Sequence, residues 1–144
     1  MANRTREHSN LVSKSVIFAD VANERIGVGT TAPTTRLSVA GAVTAVDFNT
    51  TSDERLKANI EVISSALEKV KSINGVSFEW KDSGQASTGV IAQNIEEVFP
   101  ELVHGNDPKT VNYNGLIGVL IEAIKEQQVQ IEDLQVQINN LKSN

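Results

Sequence analysis

The chain contains no cysteine, which excludes a disulfide framework and thiol chemistry and leaves the redox compartment open. Aromatic residues make up only 4% of its 144 residues. A compact monomer of this composition would have a thin core, and such chains often bury further area by forming oligomers. The two histidines, His8 and His104, are far apart and lack ligand spacing. We therefore expect no metal site and no cofactor.

Positive charge is scarce as well. The formal net charge is −5 at pH 7 and there is no basic patch, which argues against nucleic acid as a partner. No run of about eighteen apolar residues is present, so the sequence predicts no membrane span. No pair of carboxylates lies in a pocket-forming context, which argues against a carbohydrate-degrading enzyme.

The N-terminal third is Gly/Thr-rich and predicts short β-strands. A polar leader, residues 1–10, is expected to be disordered or dependent on a partner. Strand candidates follow at 16–18, 25–29 and 37–39, separated by turn residues. Strands this short cannot form an independent sheet with a packed face. We expect several copies to wrap around a common axis, with a flexible linker as the alternative.

The composition changes after Thr51, where charged, helix-forming residues take over. Residues 54–63 are amphipathic, with apolar side chains at helical or mixed spacing. Ser65 and Glu68 form the pattern of a capping box, which predicts a short helix to about residue 72.

Further along, alternating residues predict a β-hairpin with strands over 76–80 and 88–92. A short helix over 93–98 should stop before Pro100, because the residue before a proline disfavours helix. The aromatic side chains in this region are predicted to lie in the core: Phe78, Trp80 and Phe99.

The last segment, from Asn114 as N-cap to about residue 142, carries a seven-residue repeat that predicts a coiled coil. The repeat predicts an oligomer and leaves the number of chains open. Isoleucine and leucine in these two roles favour two strands, whereas a glutamine in the seam can change that number. One heptad position holds Ile117, Ile124, Ile131 and Ile138, and the complementary position holds Leu120, Gln127, Leu134 and Leu141.

At the junction between the two parts, Ser52 and Lys57 offer a hydroxyl and an amine. A serine becomes a nucleophile when a neutral lysine removes its proton, which requires burial or neighbouring positive charge to lower the lysine pKa. Residues five apart do not share a helix face, so Ser52 must precede any helix, or Lys57 must serve a neighbouring chain. Attack on the carbonyl of Thr51 would then cut the Thr51–Ser52 bond.

An ordinary helix start gives the same pattern. Ser52 would be the N-cap, Asp53 and Glu54 would favour the helix dipole, and Lys57 would be solvated. The two acidic residues could also pair with Lys57 and raise its pKa, which would oppose a role as base. The residues alone leave both interpretations open.

The segment from Ser52 to Ile60, SDERLKANI, closely resembles the opening of the endosialidase-type intramolecular chaperone domain of phage tail spikes and fibres. Three later blocks are similar to that family in the same order. The resemblance extends from Ser52 to about the C-terminus. Residues 25–48 resemble, more loosely, a repeat that precedes this domain in fibres. The later blocks are 73–80, 89–103 and 111–126.

The resemblance implies an elongated α+β homotrimer with a β-structured fibre segment at 1–51. Residues 52–144 would be the chaperone, a small hairpin and helix domain with a coiled coil at about 114–142. The family's serine–lysine dyad would fall on Ser52 and Lys57 and would make the chain a single-turnover serine endopeptidase acting on itself.

The expected partners are two further copies, the upstream fibre segment of the same chain and a host-surface receptor for the N-terminal part. The expected locations are the virion tail fibre and, for the released chaperone, the host cytoplasm during assembly. Gln93 and Asn94 are candidates for supporting the cleavage site or a trimer contact, with a helix cap as the alternative. The competing function is a trimeric attachment module that never cuts.

Overall fold

A computed structural model describes residues 16–143, so the predicted leader at 1–10 lies outside the described residues. The chain divides into two compact units, and the division falls between Leu56 and Lys57. The first unit contains three short strands, and the second contains short helices, paired strands and a long C-terminal helix. This α+β composition agrees with the predicted fold class.

In the first unit, the predicted strands are present and pair into one sheet. The strands are β1 (Ile17–Asp20), β2 (Arg25–Val28) and β3 (Leu37–Val39), with β2 antiparallel to β1 and parallel to β3. No large hydrophobic side chain of these three described strands is buried. The short strands therefore do form a sheet, but neither of its faces is packed within the described chain.

The segment that follows the sheet corrects one prediction. Instead of an amphipathic element over 54–63, a single 3-10 turn spans Glu54–Leu56, and residues 57–63 have no regular structure. Asn59 adopts a left-handed φ of 52°, which a continuing right-handed helix cannot accommodate. Ile63 packs against the core.

The first α-helix of the second unit, α1 (Ala66–Ser72), begins where the sequence predicted, but the capping box is absent. Ser65 has a left-handed φ of 54°, and its side chain makes no cap hydrogen bond. Glu68 instead accepts a hydrogen bond from Lys71. The cap of α1 comes from a residue far away in the sequence, Glu126, described below.

The predicted hairpin is present as β4 (Gly75–Glu79) and β5 (Ala86–Val90), paired antiparallel. The Phe78 and Trp80 rings meet edge to face, with centroids 5.3 Å apart. Phe78 is half-buried, but Trp80 is 58% exposed. The prediction of a core role is therefore wrong for Trp80, because it follows the last residue of β4 and lies at the start of the turn that joins β4 to β5.

The remaining elements lead to the long helix. They are α2 (Ala92–Glu96), a 3-10 turn at Pro100–Leu102, the antiparallel pair β6 (Val103–His104) and β7 (Thr110–Val111), and α3 (Tyr113–Lys142). The N-cap of α3 is Asn112, whose side chain accepts the backbone N–H of Gly115 at 3.3 Å. The prediction of Asn114 as the N-cap was wrong by two residues, because the helix already begins at Tyr113.

The core of the second unit forms where the first half of α3 packs against α1. Phe99 is buried there, as predicted. Every side chain from residue 127 to residue 143 is exposed, so the second half of α3 extends beyond this core. The buried residues are Ala66, Ile95, Phe99, Leu102, Leu116, Val119 and Ala123.

Candidate self-cleavage junction and coiled-coil seam

The residues on either side of the predicted cut are accessible. Thr51 and Ser52 are both exposed and lie outside regular secondary structure. The 3-10 turn starts two residues after Ser52 and is closed by the Leu56 N–H donating to the Asp53 carbonyl oxygen at 3.1 Å. Ser52 therefore precedes the turn, in the irregular backbone that a nucleophile at this spacing requires.

Asp53 caps this turn. Its Oδ1 accepts the backbone N–H of Arg55 at 2.9 Å, and the Arg55 guanidinium makes a two-pronged ion pair with the carboxylate, with Nη2 and Oδ2 2.6 Å apart. These hydrogen bonds, the side-chain ones first, hold the pKa of the Asp53 carboxyl below its usual range. Arg55, the cation nearest to Lys57 on the N-terminal side, is therefore paired with Asp53.

Lys57 is exposed and is the first residue of the second unit. Ser52 belongs to the first unit. The turn at Glu54–Leu56 separates them in sequence, so they do not belong to one continuous helix.

The two candidate supporting residues have different surroundings. Asn94 lies in α2, and its Oδ1 accepts the backbone N–H of Asn74 at 2.9 Å, which fixes the turn before β4. Gln93 lines an open cavity of about 680 Å³ between the hairpin, α2, β7 and the start of α3. Its other lining side chains include Phe78, Trp80, Ile91 and Tyr113. Asn94 thus stabilises the turn before β4 through this contact, whereas Gln93 is part of the cavity lining.

The predicted seam lies on an exposed face of α3. The face that packs on α1 carries Leu116, Val119 and Ala123. The seam positions 117, 120 and 124 directly follow these buried residues, about 100° further around the helix. The apolar side chains of the seam are between 44% and 77% exposed, and Gln127 is also exposed. These positions are Ile117, Leu120, Ile124, Gln127, Ile131, Leu134, Ile138 and Leu141.

Sequence reasoning missed the role of Glu126. Its two carboxylate oxygens accept the backbone N–H groups of Ala66 and Leu67, each at 2.9 Å. These bonds, that from Leu67 first, hold the pKa of Glu126 below its usual range. The sequence contained a signal for this role. Positions 116, 119, 123 and 126 follow the spacing of one helix face, so Glu126 lies on the same face as the buried residues.

Residues 52–104 match the model of a peptidase family described as chaperone of endosialidase. The predicted family resemblance is confirmed. The match to this endosialidase-chaperone family begins at Ser52, the residue after the predicted scissile bond, and includes Lys57, the hairpin and α2.

Two curated relatives extend the similarity toward phage fibres. The long tail fiber protein Gp37 of Enterobacteria phage K3 is 35% identical over 95 residues, which cover 58% of this chain and 8% of that protein. Its namesake from Salmonella phage S16 is 32% identical over 115 residues, covering 71% of this chain and 15% of that protein. The chain thus spans less than a sixth of either relative. Within residues 16–143, no helix has the length and apolarity needed to cross a membrane.

Proposed function

We propose that residues 52–144 form an intramolecular chaperone that assembles a trimeric phage tail fibre or spike and then cuts itself off. The observation that carries this proposal is the family match that starts at Ser52 and contains Lys57. The tail-fibre relatives support a location on the virion tail for the N-terminal part, where a host-surface receptor would be its partner. The released part would remain in the host cytoplasm.

The proposed trimer interface is the exposed seam of α3. One face of α3 already packs on α1. Seven large apolar side chains lie exposed on another face, which supports a partner that covers them in the assembly. Their strict seven-residue spacing is that of a coiled coil. Three chains joined at this seam would be held at a high effective concentration and in register.

This pre-assembly addresses a known cost of fibre folding. Intertwined β-strands from several chains lose loop-closure entropy before their contacts stabilise them. The sheet of β1 to β3 would gain its packing only in the assembly, because none of its large hydrophobic side chains is buried in one chain. A seam at the C-terminus would bring the copies of this sheet together first.

The proposed chemistry is a serine–lysine reaction within the backbone. The neutral Lys57 amine takes the proton of the Ser52 hydroxyl, and the oxygen attacks the carbonyl carbon of Thr51. The C–N bond of the Thr51–Ser52 peptide breaks, the Ser52 nitrogen takes the proton, and an ester remains. Water then hydrolyses the ester, giving the Thr51 carboxylate and restoring the Ser52 hydroxyl. After the cut, the fibre is no longer connected to the chaperone, so its assembly cannot be reversed through the chaperone.

A permanent trimeric attachment module is the second candidate. The observation that favours it is the exposure of Lys57 in the single chain, because a lysine needs burial or neighbouring positive charge to act as a base. Cleavage would then need the burial or the neighbouring charge that an assembled trimer supplies.

Denaturing mass analysis of freshly expressed protein tests the two candidates. The chaperone proposal predicts two fragments that meet at Thr51–Ser52, and an intact chain for Ser52→Ala and for Lys57→Ala. Ser87→Ala, a serine of the hairpin, is the matched control and should be cut normally. A wild-type chain that forms trimers and stays intact would favour the attachment module.

A further inference from the structure

We infer that Glu126 is a positioning residue for the cleavage, acting through the segment that starts at Lys57. This inference rests on the proposed self-cleavage and adds a residue outside the serine–lysine pair. It arises from a contact between two elements that are about sixty residues apart in the sequence.

The contact is a two-point attachment of α1 to α3. One carboxylate oxygen of Glu126 accepts the N–H of Ala66 and the other accepts the N–H of Leu67, both at 2.9 Å. Hydrogen bonds to a charged acceptor are shorter and stronger than those between neutral groups. Two such bonds to adjacent N–H groups fix the direction in which the chain enters α1 as well as its position.

The residue that leads into α1 depends on this attachment. Ser65 adopts a left-handed φ of 54° and its own side chain does not cap the helix. A non-glycine residue in this conformation persists where its surroundings hold it. Here Glu126 supplies the cap that Ser65 and Glu68 do not.

A second contact holds the same segment two residues earlier. Ile63 packs against the core, and its Cδ1 lies 3.9 Å from the place that a Cβ on Gly118 would occupy. The segment 57–67 is thus attached to α3 at its C-terminal end, through Ile63, Ala66 and Leu67. Its exposed start carries Lys57, six residues before Ile63.

The same helix carries the proposed seam, since Gln127 directly follows Glu126. Assembly of the seam would fix α3 relative to the other copies, and the Glu126 contact would keep the segment bearing Lys57 attached to that helix. A general base must come within hydrogen-bond reach of the proton it removes, and a small misplacement of a reacting group lowers a rate strongly. Charge near Glu126 also includes Lys69 of α1, whose attraction favours the carboxylate form.

The experiment compares the cleavage rate within assembled trimers. The full chain is expressed as wild type, Glu126→Gln, Glu126→Ala and Glu132→Gln, where Glu132 is an exposed carboxylate of the same helix. Trimer content is measured by native mass spectrometry, and cleavage by denaturing gels over time, well below each melting temperature. We expect trimers of Glu126→Ala to be cut about 10- to 100-fold more slowly. Glu126→Gln, which keeps one acceptor oxygen, should recover part of the rate, and Glu132→Gln should equal wild type.

Trimers of both Glu126 variants that are cut at the wild-type rate would overturn the inference and leave the proposed function intact. A wild-type chain that forms trimers without cutting would overturn both. If the Glu126 variants do not form trimers, Ile63→Ala, which loosens the same segment and leaves the Glu126 hydrogen bonds in place, is compared instead. Slow cutting of Ile63→Ala trimers supports the step through which Glu126 would act, that the attached segment positions Lys57, and cutting at the wild-type rate overturns the inference.

Discussion

Gly115 packs directly against the side chain of Leu102, and a Cβ atom at position 115 would overlap that side chain. Leu102 is only 8% exposed and belongs to the core, so it has little room to move. This contact joins the first turn of α3 to the 3-10 turn at Pro100–Leu102 and so fixes where the long helix starts within the domain.

Gly115→Ala should destabilise the second unit even though alanine favours helix. Alanine gains about 1 kcal/mol over glycine in a helix, but overpacking a core typically costs about 1–3 kcal/mol, so the net change is a loss. Gly118→Ala is the matched control, because its Cβ would lie 3.9 Å from Ile63, an ordinary contact. Thermal unfolding should show a lower Tm for Gly115→Ala and an unchanged or higher one for Gly118→Ala. Equal shifts in the two variants would contradict this account.

Acid should weaken the attachment of α1 to α3. The N–H groups of Leu67 and Ala66 hold the pKa of Glu126 below its usual range. A carboxyl whose folded pKa is lowered adds stability above its unfolded pKa, near 4.5, and loses it as the pH falls through the folded value. The difference in unfolding free energy between wild type and Glu126→Gln should therefore be largest at neutral pH and shrink below about pH 4.5. Urea unfolding at several pH values measures it, and a difference independent of pH would contradict the prediction.

The seam predicts which exposed side chains of α3 tolerate charge. Ile131 and Val129 are 53% and 65% exposed in the single chain, yet only Ile131 lies on the seam. Ile131→Glu should break the proposed trimer, because a charge buried without a partner is costly. Val129→Glu should leave it intact. Sedimentation equilibrium reports the mass of each variant, and trimers of unchanged affinity in both would exclude this seam.

Asn94 should contribute to stability through its bond to the Asn74 backbone. Asn94→Ala removes the acceptor and is expected to cost about 1 kcal/mol. Asn94→Asp keeps an acceptor oxygen at the same place and should retain most of that stability at neutral pH. Denaturant unfolding compares them, and equal losses would show that the Oδ1 contact is not what stabilises the turn.

Local patterns in the sequence predicted much of this fold. The strand positions, the hairpin, the helix after Ser65 and the long C-terminal helix all follow from alternation, turn residues and the heptad repeat. These features depend on neighbours in the sequence, which is why they can be recognised there. The resemblance to the chaperone family, which rests on ordered sequence blocks, supplied the α+β class.

The errors come from contacts between distant residues. Ser65 and Glu68 satisfy the capping-box pattern, but Glu126 takes the cap from across the domain. Trp80 alternates with Phe78 as a core residue would, yet it lies at the start of the hairpin turn and is 58% exposed. The dyad of Ser52 and Lys57 stays a prediction.

The long helix has two halves with different means of support. Up to Glu126 it is held by the rest of its own domain, whereas residues 127–142 have every side chain in solvent. An isolated stretch of about sixteen residues is barely helical in water. On dilution below the concentration at which copies associate, this tail should unravel from Lys142 backward, and the Glu126 carboxylate marks the point where the unravelling stops.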